Sequence, residues 1–373
     1  SMNKVINYIT YQTFPSNKAN TFQTMDNIKY FEKNGYQVRL SFPLREKTST
    51  SDKDVLKKFY PVSNNLEING EIHNLPFGKF DIFEKYLFTI SHFLWSWRIS
   101  KKFVDNKTIN YTRSDWIFYF LSRKNLNVVF ECHQLSKIRK WTLKKSIKHR
   151  NSKVVFLNSQ LLIDSKINNS KNKSKLLIAP NGVDDEVFNS ETNKIDGQIL
   201  FLGNIERFNN DRNLKFIIDC FKSKKIYENF SLLIIGGDKK SAVELTNYTK
   251  ENSLDEKIEI SQHVSRDTAV NYLKSSEIGL LTNSDLNKHS THYTSPLKYF
   301  EYLYSGLKIL AVDFPAHRNL PFSNNIVFFE NNNSQSFQNA LLEIKSKKYL
   351  DKKLLYEITL DSRMKKIIKF INS

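Results

Sequence analysis

Short runs of apolar residues, each about half a dozen long, alternate along this chain with stretches in which apolar positions return every three or four residues. KVINYITY (4–11) reads as a strand. A loop and a helix to about Asn34 follow, Gly35 ends the helix, and YQVRLSFP (36–43) returns as a strand. This is a βαβ opening, the unit from which parallel sheets are built. TINYTRS (108–114), LNVVFECH (126–133) and SKVVFLNS (152–159) give three more strands. SKLLIAPNGVD (174–184) closes the first half on a Pro-Asn-Gly turn. In STSDKDVLKKF (49–59), Asp52 and Asp54 have the spacing of a metal pair, but Ser51 capping a helix with an acidic first turn accounts for them better.

Residues 185–197 are polar and weakly patterned, as a linker would be. Beyond them QILFLGN (198–204), FSLLIIGGD (230–238), IEISQH (258–263), IGLLTN (278–283) and NIVFFE (325–330) read as strands. Helices are expected between them at NLKFIIDCFKS (213–223), AVELTNYTKENS (242–253) and RDTAVNYLKSS (266–276). The pattern predicts two doubly wound α/β domains, at 1–190 and 191–355, with a cleft between them and a C-terminal helix at 356–373.

The stretch YTSPLKYFEYLYSGLKILAVDFPAHRN (293–319) carries the most chemistry. Ser295 suits a helix N-cap and Pro296 the first helical position, while Gly306 suits the left-handed residue that ends the helix. Leu297, Phe300 and Tyr304 share the face that would pack on a sheet. The amides of such a first turn, with the helix dipole, form an anion site. Glu301 stands three residues after Lys298. A carboxylate there can accept two hydrogen bonds from vicinal ribose hydroxyls, or it can simply pair with Lys298 on the surface, and spacing does not separate the two.

Composition narrows the field. With 373 residues, 40% apolar and 13% aromatic, the chain can build two cores. Two cysteines cannot make a disulfide framework, and the first residues lack the pattern of a secretion signal, so a cytoplasmic setting is expected. No run reaches the roughly 18 apolar residues needed to span a bilayer. The formal charge of +19 fits a general excess of lysine, an anionic membrane surface, or nucleic acid. Zinc-finger spacing, an arginine-rich arm and ribonucleoprotein motifs are missing from the sequence, which weighs against nucleic acid. The aromatic and basic segment 80–103 fits either a membrane interface or a core helix of the first domain. The first strand-to-helix loop, QTFPSNKAN, has no glycine and is neither a P-loop nor a dinucleotide fingerprint.

SPLKYFEYLYSGLKILAVDFPAHR resembles the nucleotide-binding segment of GT-B glycosyltransferases of glycosyltransferase family 4. PSNKANTFQTM is similar to that family's acceptor-side loop and helix, NVVFECH to its Glu-x-His strand, and APNGVD to the end of its first domain. ILFLGN with RNL, LLIIGGD and the terminal SRMKKIIKFI match in order, so the resemblance spans most of the chain. It implies a GT-B fold, two Rossmann-like domains facing a central cleft. It further implies retaining transfer of a sugar from a UDP- or GDP-linked donor to a glycan or lipid-linked acceptor, in polysaccharide, capsule or lipopolysaccharide synthesis. A nucleotide-sugar epimerase of the same fold, a basic nucleic-acid-binding module and an inactive membrane scaffold are the rival readings.

The resemblance also assigns roles. Glu301 would hold the ribose, and the turn Ser295, Pro296, Leu297 and Lys298, entered through Tyr293 and Thr294, the diphosphate. Gly203, Asn204, Gly237 and Asp238 would face the nucleotide, with His263 and Val264 near the base. His133 would approach the reaction centre, and Arg212 and Arg207 would steady the leaving group. Asn20 is the candidate cleft contact on the acceptor side. Tyr293 stands where the family often has a sugar-directed glutamate, and Asn204 where it has an arginine. The resemblance implies neither metal nor bound cofactor.

Overall fold

A computed structural model of the protein describes residues 4–75, 83–184, 193–207, 210–294 and 296–373. The chain divides into two compact units, one of residues 1–179 with 364–373 and one of residues 180–363.

In the first unit β1 (Lys4–Ile9), α1 (Ala19–Lys33), β2 (Tyr36–Leu44), α2 (Lys53–Leu56), β3 (Glu67–Ile72), α3 (Glu84–Ser100) and β4 (Ile109–Thr112) come first. α4 (Asp115–Arg123), β5 (Val128–Cys132), α5 (Lys137–Ser146), β6 (Ser152–Phe156), α6 (Ser159–Ser165) and β7 (Leu176–Ile178) complete it. The seven strands form one sheet in the order β3-β2-β1-β4-β5-β6-β7, and each pairing is parallel. All five residues of β5 are buried, as a central strand covered on both faces requires. β3 was not visible in the sequence pattern. It is an edge strand, EINGEI, with no fully buried position, so nothing forces its apolar residues into alternation. Side-chain caps start α4 at Ser114, α5 at Ser136 and α6 at Asn158. The cap expected at Ser51 falls instead on Asp52, whose carboxylate accepts from the amide of Asp54 at 2.9 Å.

The second unit runs β8 (Ile195–Leu202), β9 (Glu206–Arg207), β10 (Asn210–Asp211), α7 (Leu214–Cys220), α8 (Lys224–Asn229), β11 (Ser231–Gly237), α9 (Lys239–Glu251) and β12 (Ile258–Gln262). It continues with α10 (Arg266–Ser275), β13 (Ser276–Leu281), α11 (Leu297–Tyr304), β14 (Lys308–Val312), α12 (Pro315–Arg318), β15 (Ile326–Phe329) and α13 (Ser334–Ser346). The last helix, α14 (Leu360–Ile371), begins here, and its residues from Met364 onward belong to the first unit. The main sheet, β12-β11-β8-β13-β14-β15, is parallel throughout. β9 and β10 form a separate antiparallel pair.

Apolar side chains cover both faces of this sheet. Ile217, Phe221, Leu245 and Phe337 pack on one face, and Leu273, Tyr299, Phe300 and Leu303 on the other. The helix expected over 213–223 is α7, which ends at Cys220, and α8 is a further short helix just beyond the expected range. Residues 180–184, read as the end of the first domain, pair instead inside the second unit. The Val183 amide donates to Ile358 O at 2.9 Å, and the Leu360 amide to Val183 O at 2.8 Å.

Candidate functional site

In the second sheet the chain order reverses at β8, with β11 and β12 on one side and β13, β14 and β15 on the other. Loops leaving adjacent strands at such a point diverge and leave a crevice beyond their carboxyl ends. Tyr302 of α11 bridges this point. Its hydroxyl accepts from the Leu202 amide at 3.0 Å and donates to Leu280 O at 3.3 Å, tying the helix to the ends of β8 and β13. Gly279 makes room for the ring, since a Cβ there would lie 2.5 Å from it.

A recess opens beside this bridge. Arg212, Thr282, Asn283, Thr294, Pro296 and Lys298 are among its lining residues. The hydroxyl of Thr282 is buried in it without a hydrogen-bond partner. Two cationic side chains and the start of a helix thus meet a polar rim in one place, which suits a multiply charged anion.

The helix starts one residue later than the sequence predicts. Pro296 is extended, with φ −70° and ψ 124°, and occupies the capping position, so α11 begins at Leu297. Ser295, expected to cap it, lies outside the described residues. Thr294 is buried and its hydroxyl donates to His289 O at 3.1 Å, closing a π-helical turn over His289–Tyr293. Tyr293 is buried in that turn with the Lys288 ammonium 5.5 Å from its ring centroid.

Glu301 is a buried carboxylate one turn into α11. Oε2 lies 3.3 Å from Lys298 Nζ, and Oε1 lies 3.1 Å from Arg266 Nη1. The pair with Lys298 therefore exists, but it is not the surface pair that spacing allowed, because Glu301 is buried. Arg266, the first residue of α10, had no motif to mark it, because its meeting with Glu301 depends on how two helices pack on one sheet face.

The neighbouring loops are built on glycines. Gly236 has φ +123°, and a Cβ on it would sit 2.6 Å from Gly203 O, so only glycine lets the two loops touch. The Arg212 guanidinium lies 5.3 Å from the Phe201 ring centroid, and Nη1 donates to Asn204 O at 3.4 Å. Arg207 is on β9. Gly237 packs against Ile205, and Asp238 caps α9, its carboxylate accepting from the Ser241 amide at 2.7 Å. That amide holds the Asp238 carboxyl below its ordinary range. His263 is exposed, with its amide bonded to Gly237 O at 3.1 Å, while Val264 packs against the core. His317, also lining the recess, is buried and donates from Nδ1 to Val312 O at 2.8 Å; burial pushes its pKa down to about 4, so it is neutral at pH 7.

The first unit holds a separate cluster at the end of β5. His133 Nε2 lies 2.7 Å from Glu131 Oε1. The other oxygen of Glu131 accepts from Tyr111 at 2.5 Å and from Asn27 at 2.9 Å. A buried carboxylate satisfied on both oxygens is a firm anchor, and it fixes the plane of the half-buried imidazole. The roles of Glu131, Tyr111 and Asn27 were not legible in sequence, since they come from β5, β4 and α1. Asn20, in the first turn of α1, has a buried side-chain oxygen with no partner.

Residues 184–359, a stretch that falls within the second unit, match the model of the family described as Glycosyl transferases group 1. The whole chain is similar in fold to several solved glycosyltransferases. The apo form of the lipopolysaccharide outer core galactosyltransferase WaaB aligns with a TM-score of 0.68 at 12% identity, covering 98% of this chain and 99% of that one. TarM aligns at 0.69 and 10% identity over 100% and 99%. A glycosyltransferase from Rickettsia africae aligns at 0.68 and 14% identity over 100% and 98%. The fold is thus the two-domain parallel-sheet arrangement of GT-B glycosyltransferases, as the motifs implied. No curated protein matches the chain.

Proposed function

We propose that this protein is a retaining glycosyltransferase that moves a sugar from a UDP- or GDP-linked donor to a glycan or lipid-linked acceptor. The observation that carries the reading is the recess at the β8/β13 switch point, where Arg212, Lys298 and the first turn of α11 converge one turn from the buried carboxylate of Glu301. The diphosphate would lie against the two cations and the α11 amides, and the ribose hydroxyls would donate to Glu301, displacing part of its pairing with Arg266.

In the reaction the bond between the anomeric carbon and the diphosphate oxygen breaks, and the leaving oxygen keeps the electron pair. The acceptor hydroxyl oxygen bonds to that carbon on the same face, and its proton passes to the leaving phosphate. The main catalytic demand is stabilising the charge that grows on the diphosphate, which fixed cations and helix amides meet without reorganising. In this proposal they do so in place of a divalent ion. His133, held by Glu131, is assigned to the sugar and reaction centre as an orienting and polarising group. The setting is cytoplasmic assembly of polysaccharide, capsule or lipopolysaccharide. The solved galactosyltransferase of lipopolysaccharide outer core among the similar folds lends that setting support.

The test is a thermal-shift screen of UDP, GDP, ADP and CMP on wild type and Glu301→Ala. UDP or GDP should raise the melting temperature of wild type, and the mutant should lose most of that rise. Equal shifts in both proteins would remove Glu301 from the nucleotide site, and no shift with any nucleotide would remove the proposal.

A further inference from the structure

The helix α3 exposes an apolar stripe although it also buries Trp95 and Ile99. Its buried positions include Ser91, Ser96 and Ser100 beside Trp95 and Ile99. Its exposed positions include Phe83 at the cap, then Tyr86, Ile90, Phe93, Leu94 and Trp97, with Phe88 and the charged Glu84, Lys85 and Arg98 away from that line. Phe83, Tyr86, Ile90, then Phe93 or Leu94, then Trp97 recur at three- and four-residue steps, so they form one apolar stripe on the solvent side. Tyr86 is 71% exposed, Ile90 53% and Trp97 47%, values far from those of an ordinary surface helix whose polar residues face water.

The stripe continues onto two neighbouring helices. The Phe93 ring stands edge-on to Trp116 of α4 at 4.8 Å and lies 5.4 Å from Phe120. Trp116 and Tyr119 in turn meet Trp141 of α5 at 6.4 and 5.3 Å, and Trp141 is itself exposed. Three helices of one layer therefore share an outward aromatic patch. Apolar surface this continuous marks a contact with something other than water.

Charge identifies the occupant. The α5 sequence KIRKWTLKKS has five basic residues and no acidic one. Lys101 sits 3.6 Å over the Trp97 ring, Arg123 5.3 Å over Tyr119 and Lys145 5.9 Å from Trp141. Cations thus ring the apolar patch and lie against its aromatic rings. Asp115, the acid of α4, is buried beside Arg139 rather than displayed, and Glu84 is the one acidic residue of α3. Tryptophan and tyrosine with lysine at the rim is the composition that settles at the boundary between headgroups and acyl chains. A second copy of this face would bring lysine against lysine, which disfavours self-association.

No described helix is long and apolar enough to cross a membrane, so the contact is a surface one. We propose that the α3, α4 and α5 face docks the protein on a bilayer carrying anionic lipid, with Tyr86, Leu94 and Trp97 entering the interface and the α5 lysines meeting the headgroups.

Vesicle co-sedimentation without any nucleotide tests this independently of the transfer site. Wild type should pellet with vesicles about a third phosphatidylglycerol and not with phosphatidylcholine alone, and should release as salt rises to about 0.5 M. Brominated acyl chains should quench its tryptophan fluorescence. Tyr86→Ser/Leu94→Ser/Trp97→Ser changes only exposed side chains and should lower partitioning on the order of tenfold or more while melting like wild type. Lys140→Glu/Lys144→Glu/Lys145→Glu should abolish the preference for anionic vesicles. Equal pelleting of wild type and both variants would overturn the proposal, as would failure of wild type to bind either vesicle. So would a lipid-free dimer that the serine variant dissociates, because a second copy would then be the occupant.

Discussion

Arg266 Nη1 lies 3.1 Å from Glu301 Oε1, joining the first residue of α10 to the middle of α11. The carboxylate that would receive a ribose is thus held between two cations, Lys298 on its own helix and Arg266 on the next. This pairing aims the carboxylate before any ligand arrives. It also means that nucleotide binding must exchange one set of hydrogen bonds for another.

Removing Arg266 separates those effects. Arg266→Ala should leave the fold intact, because its guanidinium is about half exposed. Glu301 would then be less firmly aimed. Nucleotide affinity should fall by roughly threefold to tenfold, on the scale of one weakened charge-assisted hydrogen bond. Glu301→Ala should lose more, about tenfold to a hundredfold. Calorimetric titration with the stabilising nucleotide measures both, and a larger loss in the arginine variant would reverse the assignment.

His133 and Glu131 should act as a pair in turnover and not in nucleotide binding. His133→Ala is expected to lower kcat by about a hundredfold with an unchanged nucleotide-induced thermal shift. Tyr111→Phe removes one donor from the buried Glu131 carboxylate, which should cost about 1–3 kcal/mol of stability and a smaller loss of kcat. Steady-state kinetics beside melting curves distinguish the two. A His133→Ala enzyme with wild-type kcat would take the histidine out of the reaction.

The contact between Gly236 and Gly203 should be intolerant of any side chain. Gly236→Ala places a methyl group 2.6 Å from Gly203 O at a φ of +123°, so one loop must move. Overpacking and backbone strain together should destabilise the protein by about 2–4 kcal/mol. Because the displaced loop carries Asn204 toward Arg212, the same variant should weaken nucleotide binding. A denaturant titration and the thermal-shift assay report the two losses.

Acid should weaken the fold through His317. Its pKa lies near 4 in the folded protein because of burial, against about 6.5 in an unfolded chain. Between those values the unfolded state binds more protons, so stability falls as pH drops from about 6.5 to about 4 and the effect levels off below. His317→Gln, which keeps a donor for Val312 O, should flatten that part of the curve by on the order of 1–3 kcal/mol. Melting temperatures of both proteins across this range measure it, and parallel curves would assign the acid sensitivity elsewhere.

Much of the fold could be read from the chain. Central strands such as VVFEC and LLIIGG announce themselves because both faces are buried and nearly every position is apolar, Glu131 being the exception. β3 hid because an edge strand has no such demand, and α8 hid because it has 6 residues and a single buried one, Ile226. At the site, Glu301 and Lys298 are neighbours on one helix turn, so their pairing follows from spacing. Arg266, Thr282, Tyr111 and Asn27 sit on other elements, and spacing says nothing about them. Segment 80–103 carried two readings in sequence; Trp95 and Ile99 are in the core, as the core-helix reading expects, while Tyr86, Leu94 and Trp97 are exposed, which is where the membrane proposal starts.

The sequence by itself determined most of the central strands, that the two main sheets are parallel, and where a helix start and a carboxylate come within one turn. Those are local matters of periodicity, capping and backbone freedom. Only the tertiary structure decided that Arg266 reaches Glu301, that Glu131 is satisfied by Tyr111 and Asn27, and which side of α3 meets water. Each of these depends on contacts between residues far apart in the chain, and such contacts arise from packing on a sheet rather than from order along a strand.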